Sequence, residues 1–221
     1  MADDDWIEPP AVTGQKLQTA TLAGVQDARL VELHPYEDIG SPAWSLEVDP
    51  PLETGVWTGG TWNPVPHAVE TSPDSPQAYI DQTAQLMGQR GYPDVPIELA
   101  QVIRTDLEGD GVYEVIVAAR HPGAASYLRE EGVFSLIFLR RVIEGDVETA
   151  ILHDSVFEAG DVGLATSVES AEVAAVADLN GDGVMEIVLD GSGYEWYWSE
   201  VFEYVDDDLG PVSRMLCGGG V

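Results

Sequence analysis

Residues 178–186 read DLNGDGVME, which places side-chain oxygens at Asp178, Asn180, Asp182 and Glu186, positions 1, 3, 5 and 9 of a short loop. A hard divalent cation such as Ca²⁺ takes six to eight oxygen ligands at about 2.3–2.6 Å. In a tight loop, every second side chain turns toward one centre. Gly183 allows the sharp turn this wrapping needs, the Val184 carbonyl can add a backbone ligand, and a water would complete the shell. The same chemistry recurs at 106–114, DLEGDGVYE, with Asp106, Glu108, Asp110, Glu114 and the Val112 carbonyl as candidates. Seven of these nine positions are identical to 178–186, at an offset of 72 residues. Two bound Ca²⁺ ions are therefore expected. The bland alternative is a pair of acidic turns without ions. Against it stands the cost of crowding carboxylates beside buried strands with no counter-charge.

DxNxDG also opens an EF-hand, but that loop closes with a glutamate at position 12 and runs into a helix. Position 12 here is Leu189 in one copy and Val117 in the other, and the residues after each glutamate are apolar and mostly β-branched. That composition favours a buried strand. Each acidic loop is thus expected to join two strands.

The flanking elements repeat as well. From residue 97 onward each copy reads as strand, acidic loop, strand, connector and hairpin, over 97–157 and 171–217. FSLIFLRRV and VETAILHD flank the turn IEGD in the first; EVFEYV and PVSRML flank DDDLG in the second. Before them, 71–96 predicts the one helix. Ala78, Ile80, Ala84, Leu86 and Met87 fall on one face, Asp74 or Ser75 can cap, Pro76 sits in the first turn, and Gly91, Pro93 and Pro96 end it. Residues 16–70 read as a β-rich subdomain, with strand-like alternation at Trp44, Leu46 and Val48, and 1–15 as a loose acidic tail. The fold class is mainly β with one helix (α+β).

DLNGDGVMEIV resembles the calcium loop of FG-GAP or VCBS-type repeats, known from the β-propeller of integrin α-chains and from bacterial exported proteins. The resemblance implies blade-like four-stranded units and Ca²⁺ held by the residues named above. Glu108 departs from the shorter Asp or Asn usual at its place and would crowd its loop. The stretch 97–221, with its CGGGV end, is also similar to the C-terminal region of uncharacterised bacterial exported proteins and lipoproteins. Two visible units do not close a propeller, so a partial propeller or a two-sheet sandwich is expected.

The formal net charge is -31, from 40 acidic and nine basic residues, with Lys16 as the sole lysine. Such a surface repels nucleic acid and anionic lipid. No apolar run approaches the ~18 residues of a membrane helix. One cysteine, Cys217, excludes an internal disulfide and a thiolate cluster. The start MADDDWIEPP would suit an export signal removed and a Met added, placing the protein outside the cell, in the periplasm or on the cell surface.

Other chemistry is sparse. His34, His67, His121 and His153 lack metalloprotease spacing, and GxSxG, Walker and GxGxxG motifs are missing. The aromatic stretch GSGYEWYWSEVFEY (191–204), with Trp57 and Trp62, suits core packing or a platform for a sugar or peptide. The expected function is a non-catalytic calcium-binding module, with a protein or carbohydrate as its partner. The competing class is a metal-dependent hydrolase of phosphate esters or glycans.

Overall fold

The computed structural model describes residues 12–38, 41–124, 130–143, 145–158, 160, 168–205 and 210–220. They form three antiparallel sheets and one helix. The expected turn at Asp206–Asp208 and the tail before residue 12 lie outside these residues.

The N-terminal sheet contains β1 (Lys16–Thr21), β2 (Gly24–Asp38), β3 (Ser41–Asp49) and β4 (Val56–Thr58), in the order β3-β2-β1-β4. A strand forms where the spacing of Trp44, Leu46 and Val48 placed one, but the shared buried face foreseen for them does not hold: Val48 is buried while Leu46 is exposed, and the Trp44 side chain lies outside the described residues. The β-rich subdomain ends sooner than expected, however. β5 (Val69–Thr71) leaves it and pairs Val69 with Thr105 on the edge of the next sheet.

That middle sheet continues with β6 (Glu98–Thr105), β7 (Glu114–Arg120), β8 (Phe134–Ile143) and β9 (Asp146–Val156). The C-terminal sheet is a meander of β10 (Ser170–Ala177), β11 (Glu186–Ser192), β12 (Trp196–Val205) and β13 (Gly210–Gly220). The two repeats therefore fold into two equivalent four-stranded meanders, the first gaining a fifth strand from outside the repeat.

Alternation in β7 decides the layering. Ile116 and Ala118 join Val173, Ile187, Leu189 and Phe202 in a core shared by the middle and C-terminal sheets. Val117 and Ala119 face the other way, onto Phe134, Phe138 and Met87 of the helix α1 (Gln77–Gln89). With both faces covered, the strands after the acidic loops read as unbroken apolar runs. The outer face of the C-terminal sheet, through Ala175, Val188 and Val201, meets Val56 of β4. Burial of these side chains is the main driving force of assembly, at roughly 25 cal/mol per Å² of apolar surface.

The two central sheets are also tied at equivalent positions. The Gln101 amide donates to the Val173 carbonyl at 3.0 Å and accepts from its N–H at 2.8 Å, 72 residues away. Position 101 plus the repeat offset is position 173, so the contact joins a position to its own counterpart.

The helix differs from expectation at its start. Pro76 itself is the N-cap and no side chain caps the helix, so neither Asp74 nor Ser75 does so. Fixed at φ -60°, the proline starts the helix, and the N3 donor that a side-chain cap would accept, Tyr79 N–H, donates to the Pro76 carbonyl at 3.0 Å. Its buried residues are Thr83 and Met87, with Tyr79 and Leu86 packed alongside, while Ala78 is exposed. Thr83 tolerates burial because its hydroxyl donates to the Tyr79 carbonyl at 2.8 Å. The end is as expected, with Gly91 at φ +93°.

Candidate metal centre

Both acidic loops cross from one strand to its neighbour at the same end of the molecule. In the second, β10 delivers Asp178 and β11 begins at Glu186. Asp178 accepts from the Gly181 and Gly183 N–H groups at 2.6 and 3.0 Å, one on each oxygen. Asp182 accepts from Val184 N–H at 2.8 Å, and Glu186 reaches back to Leu179 N–H at 2.6 Å. In the first loop, Asp106 accepts from Gly109 and Gly111 at 2.7 and 2.9 Å, Asp110 from Val112 at 2.7 Å, and Glu114 from Leu107 at 2.9 Å. The chain folds this way because Gly109, Gly111, Gly181 and Gly183 take φ between 75° and 92°, a region that favours glycine.

Position 3 breaks the equivalence. Asn180 accepts from Asp182 N–H at 2.9 Å, and its amide donates to Asp182 Oδ2 at 2.9 Å and Glu186 Oε1 at 3.3 Å. Glu108 occupies the corresponding place in the first loop.

The electrostatics are one-sided. Glu114 and Glu186 are only 2% and 4% exposed. Burial pushes each carboxyl up to about 7; the acidic neighbours Glu108 and Asp106, or Asp182 and Asp178, add to the rise, and the leucine N–H opposes it. Among the described residues, no lysine, arginine or histidine side chain forms an ion pair with Asp106, Asp110, Glu114, Asp178, Asp182 or Glu186. The arginine pairs run elsewhere, from Arg90 to Asp154, Arg104 to Glu70, Arg120 to Glu98 and Arg141 to Glu148.

The residues present fit a hard cation by their chemistry, since every candidate donor is an oxygen. A carboxylate carries about four lone-pair sites, so the loop carboxylates keep sites for a metal, even Asp106, whose Oδ1 accepts two N–H bonds, from Gly109 and Asp110. Ligation by Asn180 requires its amide to turn an oxygen to the centre. Val184 is half-buried, and Val112 is 40% exposed. Among the described residues, the loops do not bring three carboxylate or imidazole ligand atoms within 4.8 Å of one another; the trio that does is Glu32, His34 and Glu47. All three are exposed, on β2 and β3. The sequence hides this trio because Glu47 arrives from across the sheet, paired with Glu32.

The loops are further held by a strap at 62–67 that sequence reasoning missed. Trp62 donates its indole N–H to the Asp178 carbonyl at 2.8 Å, and Asp178 N–H donates to the Pro64 carbonyl at 2.8 Å. His67 Nε2 lies 3.2 Å from the Gly183 carbonyl, while its ring stands where a Cβ on Gly109 would lie, 2.6 Å away. One imidazole therefore touches both loops. Met185 N–H donates to the Leu107 carbonyl at 2.9 Å, a second bridge between them.

The aromatic stretch divides. Trp198 is buried, its ring 5.4 Å from His153. Tyr194, Trp196 and Tyr197 are exposed. Among the described residues no helix is long and apolar enough to cross a membrane. Comparison with known proteins returns no matching family model, curated protein or solved structure.

Proposed function

We propose that the chain is a non-catalytic calcium-binding β-repeat protein in which each acidic loop holds one Ca²⁺. The ion neutralises the loop and fixes the crossing between neighbouring strands. The observation that carries this reading is the pair of almost fully buried glutamates, Glu114 and Glu186. Each closes an oxygen-only loop, and among the described residues neither it nor the loop's aspartates form an ion pair with a cationic side chain. A buried carboxylate is costly unless a partner charge or a metal offsets it. The loops' own residues would align the donors: Asp106 and Asp178 hold the turn through glycine N–H groups, and the glutamates anchor its return to the sheet.

The reading extends to an exported or cell-surface setting, where calcium is abundant enough for loops of modest affinity. Elemental analysis and calorimetric titration with CaCl₂ after chelation test it. Two equivalents of calcium and a melting temperature that rises with calcium are expected. No bound metal, together with a melt indifferent to calcium and EDTA, sinks the reading.

A further inference from the structure

Asp178 is the residue on which loop and strap meet. Its side-chain oxygens hold the second loop through the Gly181 and Gly183 N–H groups. Both of its main-chain groups are engaged by the strap: its N–H donates to the Pro64 carbonyl at 2.8 Å, and its carbonyl accepts the Trp62 indole N–H at 2.8 Å. The strap grips the loop at two further points. The Trp62 ring lies 3.0 Å from where a Cβ on Gly181 would stand, and His67 Nε2 lies 3.2 Å from the Gly183 carbonyl. Among the described residues, 62–67 makes no hydrogen bond to 106–114, so the first loop has no counterpart of this grip.

The strap has a shape of its own to impose. Asn63 closes a small ring on Val65, donating to its carbonyl at 2.9 Å and accepting its N–H at 3.2 Å. The Trp62 ring folds back over Gly60, where any Cβ would clash with it. Val65 packs against the core shared by the middle and C-terminal sheets. The strap follows β4, whose Val56 packs in the same apolar cluster as Leu179 of the loop. The N-terminal sheet has a separate core of Leu17, Ala28, Leu30 and Val48, and it reaches the repeats through Leu22, Val56 and the strap.

We propose that the strap, through Trp62, is the positioning element of the second calcium site, and that calcium bound there in turn latches the N-terminal sheet to the repeats. This rests on the calcium reading of the loops. With the N–H and the carbonyl of Asp178 both fixed, its carboxylate is placed before an ion arrives, so binding has less order to impose. Linkage makes the effect mutual. Whatever factor the docked strap adds to calcium affinity, calcium adds to strap docking. The first loop lacks hydrogen bonds to the strap, so an ion there bears on the N-terminal sheet far less.

Calorimetric titration of the full chain with CaCl₂ tests the first half, with Asp110→Ala in the background to isolate the second site. Adding Trp62→Phe, which keeps a ring and deletes the indole donor, should weaken calcium there by about fivefold, the worth of one hydrogen bond. In an Asp182→Ala background, which retains the first site alone, the same change should alter affinity by less than about twofold. If Trp62→Phe melts early without calcium, Asn63→Ala, which unties the strap and hydrogen-bonds neither loop, must weaken the second site in its place. Hydrogen exchange read by mass spectrometry tests the second half. Calcium should slow exchange across 55–67 in the wild-type and Asp110→Ala chains and leave it unchanged in Asp182→Ala. The latch is overturned if calcium fills the second loop with equal affinity in both strap variants, or if 55–67 exchanges alike with and without calcium. A wild-type chain that takes up no calcium sinks the reading of the loops themselves, and the latch with it.

Discussion

The two acidic loops share seven of nine residues, yet the protein treats them differently. In the second, Asp178 is 3% exposed, covered by Trp62 and Pro64 of the strap. In the first, Asp106 is only half-buried and the strap contributes the His67 ring against Gly109. Asn180 links Asp182 and Glu186 by hydrogen bonds, while the first loop carries a fourth carboxylate, Glu108, in its place. The second loop is thus enclosed and cross-linked, the first more open and more acidic. Identical loop residues fix the turn; the surroundings set the cost of its charge.

The largest expected effect falls on both loops together. A ligand at a hundred times its Kd stabilises by about 2.7 kcal/mol per site, so EDTA should lower the melting temperature by roughly 5–10 °C per site lost. Scanning calorimetry with and without calcium checks this, and superimposable melts would remove the basis for comparing two metal loops.

Asp182→Ala and Asp110→Ala come next. Each should remove one calcium equivalent in calorimetric titration, and Asp182→Ala should lower the melting temperature more, because it also strips Asn180 of a partner. Equal losses would show that enclosure does not matter.

Glu108→Asn converts the first loop to the sequence pattern of the second. Calcium affinity at the first loop should rise by a few-fold as crowding is relieved. A fall, read in the same titration, would mean that the fourth carboxylate outweighs its bulk.

His67→Ala removes a side chain that touches both loops and should cost about 1 kcal/mol, the worth of an ordinary hydrogen bond. It should also make the two calcium-binding events independent. Coupling that survives the change would move the link to the Met185–Leu107 bond.

The smallest effect concerns the region away from the loops, where burial holds the His153 imidazole below its usual pKa, against the pull of the Glu169 carbonyl and of the Asp154 and Glu200 carboxylates. A folded pKa below the unfolded one means the folded chain binds fewer protons, so stability is lost as pH falls through about 6.5. His153→Gln should flatten that slope in urea melts between neutral and mildly acidic pH. An unchanged slope would mean that His153 does not set it.

How much of this was legible follows from which interactions are local. The repeat could be read because the loop residues recur at a fixed offset, and each loop needs only its own glycines and carboxylates to turn. The helix end could be read from Gly91; its start was misjudged because Pro76 replaced the side-chain cap that Asp74 or Ser75 was expected to provide. β5 was missed because three residues carry no periodicity, and its pairing is decided by the free edge of β6. The strap was hidden for the same reason, as its partners lie in another sheet.

The strap's contacts from Trp62 to Asp178 and from His67 to Gly183 each span 116 residues. Closing so long a segment is entropically expensive before any contact repays it. During synthesis, residues 62–67 leave the ribosome long before their seat exists. The early sheet must therefore wait, with Trp62 unsatisfied, until residues 178–183 have emerged, and the strap docks only once the second acidic loop exists.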